Sequence, residues 1–324
     1  MAWSGRSWIA LASAALRYPT TAPGAAANIA VNGHHLYATM ADAGVAVYRI
    51  ADGRRIGLLA PPVPGSTADD VAVADGLLFV LDARPPGMLS VFTLRDPARP
   101  APVSGPLPVA VGPFSGVTAA NGIVVVSGGT SSLTAFRYDE RGVLPPAGFA
   151  RADLGRGQPD ALLSAFRPIL FVATHYAGPR FGLDIAAIDA SGIRRIATIP
   201  LPGAGFTDGG EHPASFPIAF AELSRDTLLV AHGGGLAIVR VTDPSHPVLL
   251  HTIDLGAPAI HVDAMDGAAL VALRGGLALV RLAPEISMVR LPSTPRGTRH
   301  LGVALTQSRA MVAAGDRGVL FMDR

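Results

Sequence analysis

The chain has no cysteine, and all 26 of its basic residues are arginine. Without thiols there is no disulfide framework, no thiolate nucleophile and no thiolate metal site. Without lysine no side-chain amine can form a Schiff base. Glutamate occurs only four times, and no carboxylate pair is set by its spacing for acid–base work. Aromatic residues are 6% of the chain, too few to point to a carbohydrate-stacking groove. Charged residues are 15%, and the arginines are scattered around a formal net charge of +2, which is not a nucleic-acid footprint. No apolar run approaches the ~20 residues a bilayer span needs. There is no Gly-x-Ser-x-Gly elbow, no His-Glu-x-x-His pair and no Asn-x-Ser/Thr acceptor. Gly155-Arg-Gly157 and Gly233-Gly-Gly235 lack the following helix that phosphate cradling requires and read as strand turns.

What the chain does have is a repeated strand. Gly235-Leu-Ala-Ile-Val-Arg-Val returns as Gly276-Leu-Ala-Leu-Val-Arg-Leu. Looser copies begin at Gly44, Met88, Ser132, Gly182 and Gly318, so seven copies recur at spacings of 41 to 53 residues. A period of this length made of short strands is the signature of a propeller blade. With 49% apolar residues a large core is available. Each repeat reads as inner strand, second strand, recurring third strand and outer strand. Asn32-Gly33, Asp75-Gly76, Asn121-Gly122 and Asp266-Gly267 sit between the first two strands as tight-hairpin dipeptides. Prolines gather between the strands, where a ladder has no use for them. The expectation is one all-β domain over residues 1–324, a seven-bladed β-propeller of four-stranded antiparallel blades.

Residues 1–27 allow two readings. Arg6, the apolar stretch Trp8–Leu16 and Ala25-Ala-Ala27 resemble a secretory signal with a small-residue cleavage site. Alternatively Ser7–Leu16 is a strand. The last repeat stops after its third strand, so the strand reading is preferred: the N-terminus supplies the fourth strand and closes the last blade.

Two turns after the third strand read Asp96-Pro-Ala-Arg-Pro100 and Asp243-Pro-Ser-His-Pro247. Asp bonding to the backbone two residues on, with Pro fixing φ, makes such a turn rigid. A Gly-Leu-x-Ile-Val-x-Val strand followed by Asp-Pro-x-x-Pro and an apolar outer strand resembles the LVIVD-repeat β-propellers, most closely over Thr227–Leu255. Repeats one, three, four, six and seven lack the Asp-Pro turn. The resemblance implies a propeller in a periplasmic or extracellular setting, and it supplies no catalytic residues to carry over.

Function in such a fold gathers on the face that carries the loops between blades. The repeat places Asp69, Asp70, Asp82, Arg84, Asp160, His175, Tyr176, Arg180, Asp208, Glu211, His212, His232, His261, Arg274, Arg299, His300, Asp316 and Arg317 there. The long insertion 202–217 belongs to the same face and could act as a lid or a protein-contact loop. The leading expectation is a non-enzymatic scaffold or binding module with a protein partner, as a subunit of a larger complex and with no cofactor. The alternative is a metal-binding protein or metal-dependent enzyme. In it His175, His212, His232, His261 and His300 would converge at the channel mouth on zinc or copper. Five of nine histidines on one of two faces is close to an even split, so the count alone does not favour that alternative.

Overall fold

The computed structural model describes residues 26–61, 63–110, 115–128, 132–153, 161–176, 180–201, 219–282, 285–291 and 302–323, excepting the side chains of 153 and 174–181. These residues form seven antiparallel sheets in chain order, a seven-bladed β-propeller. No helix is found among them, so none is long and apolar enough to cross a membrane.

Five blades are four-stranded with each strand beside the next in sequence, and blade 2 carries two short segments, Ala101–Pro102 and Leu107–Pro108, in place of one outer strand. Prolines at that edge cannot donate to a continuous ladder, which explains the split. Blade 7 has three described strands, Val303–Leu305, Arg309–Ala313 and Val319–Asp323. The expected closing strand, Ser7–Leu16, lies outside the described residues. At the edge of that gap, Ala26 exchanges two backbone hydrogen bonds of 3.0 Å with Gly315, in the loop between the second and third strands of blade 7. Ala68 meets Ala41 at the equivalent loop of blade 1. Ala26 therefore enters blade 1 by the same route as the linker that enters blade 2.

The core is seven apolar clusters, each filling one blade-to-blade junction. Between blades 5 and 6 it holds Leu229, Leu236, Ile238, Val262, Val271 and Val280. Between blades 7 and 1 it holds Met311, Val319 and Phe321 against Leu36, Met40 and Tyr48. The ring is thus closed by packing, with each fully buried aliphatic side chain contributing about 1.5–3 kcal/mol. Two-residue alternation explains why the recurring strand is apolar throughout: its successive side chains face opposite neighbours, and both are blades. In blade 5, Ala237 and Val239 face blade 4 while Leu236 and Ile238 face blade 6.

The glycine that opens this strand has a steric cause. Gly44 and Gly235 adopt φ of +90° and +125°. A Cβ there would lie 2.0 Å from the Leu59 carbonyl oxygen and 2.1 Å from that of Ile253, on the outer strand alongside. The hairpin dipeptides behave as expected at three positions, where Asp75-Gly76, Asn121-Gly122 and Asp266-Gly267 all have positive φ, as a type I′ turn requires. Blade 1 departs from them. Asn32 is still paired, with His35, and the turn is Gly33-His34 with positive φ at Gly33 alone. In blade 4 the inner strand is short, Ala161–Leu163.

Candidate binding face at the junction of blades 1 and 2

The innermost strands are stitched to one another by side chains. Asp70, opening the inner strand of blade 2, accepts from its neighbour Val71 N–H (2.8 Å) and from Val117 N–H on blade 3 (2.7 Å). Asp263 on blade 6 repeats the device, accepting from Ala264 N–H (2.8 Å) and from Leu305 N–H on blade 7 (2.7 Å). Thr118 does the same with a hydroxyl, accepting from Leu163 N–H at 2.9 Å. Burial pushes both Asp70 and Asp263 up to about 6, against the opposing pull of these N–H donors; for Asp70 the nearby charge of Asp69 adds to the rise. Asp263 and Thr118 were not among the expected residues. Both lie within inner strands, where the two-residue pattern gives no cue that a polar side chain faces the next blade's backbone.

Where the linker into blade 2 crosses the loop of blade 1, three of the expected residues, Asp69, Asp82 and Arg84, do meet. Thr67 lies with its hydroxyl oxygen 2.6 Å from Asp69 Oδ2 and 2.9 Å from Asp82 Oδ1, and its single proton serves one of them at a time. Ala83 N–H donates to Asp69 Oδ2 and Arg84 N–H to Asp82 Oδ1. The Arg84 Nε–H donates to Thr67 Oγ1 at 3.1 Å, and Nη2 donates to Asp42 Oδ1 at 3.1 Å. Thr67 and Asp82 are buried, whereas the Arg84 and Asp42 side chains are 48% and 86% exposed. Buried groups therefore aim the guanidinium outward, and among the described residues the exposed Asp42 carboxylate covers it. Around it lies an open groove of about 510 Å³ lined by Ala60, Pro61, Val63, Pro64, Ser66 and Asp42. Ala41, beside Asp42, holds φ of +47°, a conformation unusual for a residue with a Cβ and one that tends to mark functional loops. Thr67 and Asp42 escaped the sequence reading. Their signal was only an ordinary Thr before Asp69-Asp70 and a lone Asp in a four-residue turn.

The five candidate histidines fare differently. His212 and His300 lie outside the described residues, as do Asp160, Asp208, Glu211 and Arg299. His175 stands on the second strand of blade 4, Ile169–Tyr176, but its side chain is not described. His232 is fully buried at the end of the second strand of blade 5, with Nδ1 accepting from Gly234 N–H at 3.0 Å. His261, partly buried on the inner strand of blade 6, accepts at Nδ1 from Val303 N–H at 3.4 Å. A neutral imidazole that accepts at Nδ1 carries its proton on Nε2, so neither ring offers a lone pair there. Burial pulls both rings down to about 4, which keeps them neutral. Among the described residues no group of three His, Asp or Glu side chains is placed to hold a metal ion.

Comparison with known proteins agrees with the architecture. No protein-family model matches the chain, and no curated relative matches it. Solved structures do. Virginiamycin B lyase from Staphylococcus aureus superposes with a TM-score of 0.69 at 14% identity, over 96% of this chain and 98% of that one. A streptogramin B lyase gives 0.70 at 13% identity, over 95% and 96%. The WD40 repeats of RRP9 give 0.69 at 10% identity, over 95% and 97%. Such identities carry the fold and nothing of the chemistry.

Proposed function

We propose that this chain is a non-enzymatic binding propeller, a subunit of a larger complex, and that a protein partner docks on the face bearing the groove between blades 1 and 2. The observation that carries this reading is Arg84, fixed from behind by buried Thr67 and Asp82 and covered in front only by exposed Asp42. A guanidinium held in that way is pre-ordered to take a partner's carboxylate, and little side-chain entropy is lost when it does. The apolar groove wall of Pro61, Val63 and Pro64 suits the residues flanking such a carboxylate. WD40 propellers such as RRP9 share the architecture. An extracytoplasmic setting, implied by the LVIVD resemblance, goes with this reading.

The test compares the wild type with Arg84→Ala as baits in the native source, alongside elemental analysis of the purified chain. A partner held by the wild type and lost by the variant, on a metal-free protein, is expected. Identical capture by both baits would remove the groove from consideration. Stoichiometric zinc or copper that disappears in His232→Ala would favour the metal alternative. His232 would then have to release Gly234 N–H and move its proton before Nε2 could ligate.

A further inference from the structure

Two of the chain's three asparagines, Asn32 and Asn121, precede glycine. That dipeptide can lose ammonia without an enzyme. The glycine nitrogen attacks the asparagine Cγ, a C–N bond forms, and Nδ2 leaves as ammonia, taking up through water the proton that the glycine nitrogen gave away. Water then opens the five-membered succinimide at either carbonyl, giving aspartate or isoaspartate. The reaction needs a glycine amide free to lose its proton and an asparagine side chain free to swing onto it. The fold therefore decides which of the two sites reacts.

Asn121 is held at both ends. Its Nδ2 donates to the carbonyls of Ser164 at 3.2 Å and Ala165 at 3.3 Å, both on blade 4. The attacking atom is engaged as well, since Gly122 N–H donates to Asp75 Oδ2 of blade 2 at 2.9 Å. An N–H bonded to a carboxylate makes a strong, charge-assisted bond and gives up its proton reluctantly. Asn32 stands in the first hairpin of blade 1, where the turn is Gly33-His34. Gly33 is exposed, adopts φ of +57° and has no atom within 4 Å of where a Cβ would stand. Its N–H makes no hydrogen bond among the described residues.

The half-buried Asn32 amide donates to the Tyr37 hydroxyl. That hydroxyl in turn donates to the Pro97 carbonyl at 2.8 Å, tying blade 1 to the rigid Asp-Pro turn of blade 2. A phenol has one proton to give. A carboxylate at position 32 accepts where the amide donated, so it competes with Pro97 for that proton and adds negative charge near Asp96.

We propose that Asn32 is a site of spontaneous deamidation while Asn121 is protected, and that the product loosens the clasp between blades 1 and 2. This does not depend on what the groove binds, so either assignment can fail alone. The purified full chain is aged in warm, mildly alkaline buffer and followed by peptide mapping with mass spectrometry, which separates isoaspartate and aspartate from asparagine. Asn32 should convert roughly ten-fold or more faster than Asn121, the factor that about 1.4 kcal/mol of barrier gives. The same chain unfolded in denaturant should convert at both positions at similar rates, since the sequence Asn-Gly is common to them. Asn32→Asp should lower the Tm, and the loss should shrink in a Tyr37→Phe background, where there is no phenolic proton to compete for. Conversion at Asn121 as fast as at Asn32 in the folded chain overturns the assignment, and so does an intact Asn32 after the unfolded chain has converted. An unchanged Tm in Asn32→Asp, or a loss that is the same with Tyr37→Phe, overturns the effect on the clasp.

Discussion

The junction of blades 1 and 2 and the junction of blades 5 and 6 share one strand plan and differ in what surrounds it. Both have an aliphatic interior, Val45, Val47, Val71 and Val80 in the first and Leu229, Leu236, Ile238 and Val271 in the second. Above the first lies a polar knot of Thr67, Asp69, Asp82 and Arg84, and a Tyr37 hydroxyl donates to the Pro97 carbonyl of the rigid Asp-Pro turn. Its rim is guarded by arginine and proline. The second has an aliphatic interior and, on its outer strands, the exposed apolar side chains Val248, Leu250, Met288 and Val289. Stability in this ring is therefore an interior property common to all junctions, while recognition is written in loops and rims that differ from blade to blade.

The largest test of that contrast is a charge in the interior. Ile238→Asp, or Leu279→Asp in the next junction, should cost more than about 4 kcal/mol, since an unpaired carboxylate enters a dry aliphatic layer. Chemical denaturation reads it, and a cost below about 1 kcal/mol would contradict the shared-interior view. Next is Thr67→Val, which keeps the shape but removes the hydroxyl that donates to one of the two carboxylates and accepts from the Arg84 Nε–H; it should cost about 1–3 kcal/mol. A neutral result would mean the polar knot holds nothing together.

The smallest effect is a slope with pH. Asp70 and Asp263, raised to about 6 in the fold, stabilise it fully below their unfolded value of 3.8 and lose that contribution as pH rises through 6. His232 and His261, lowered to about 4, stabilise it above 6.5 and lose that contribution as pH falls through 4. The two pairs offset each other across this window. In a His232→Gln, His261→Gln variant the carboxylates act alone, so its Tm should climb relative to the wild type as pH drops from 6 to 4. Parallel Tm curves would show that the buried rings do not titrate with folding.

The blades were legible from the sequence because the third strand must be apolar on both faces and, in blades 1 and 5, opens where a Cβ does not fit. That constraint repeats at Gly44 and Gly235, and the eye finds it. The third strands of blades 5 and 6, Gly235–Arg240 and Gly276–Arg281, fall on the two closest copies of the repeat. The Gly33-His34 turn did not, because an Asn-Gly dipeptide fixes a turn only when both residues take positive φ, and register decided otherwise. The binding face was half legible. Asp69, Asp82 and Arg84 could be assigned to one face by repeat position, but that Thr67 joins them depends on the linker crossing Ala41. The role of Asp263 shows only once its neighbour Leu305 is known.

The bridge between Ala26 and Gly315 has a consequence for biogenesis. Its two partners lie at the entry to blade 1 and within blade 7, so the circle cannot shut until blade 7 has left the ribosome. Until then blade 1 waits with one flank bare, and whatever shields Leu36 and Met40 during translation must yield to Met311 and Phe321 at the end.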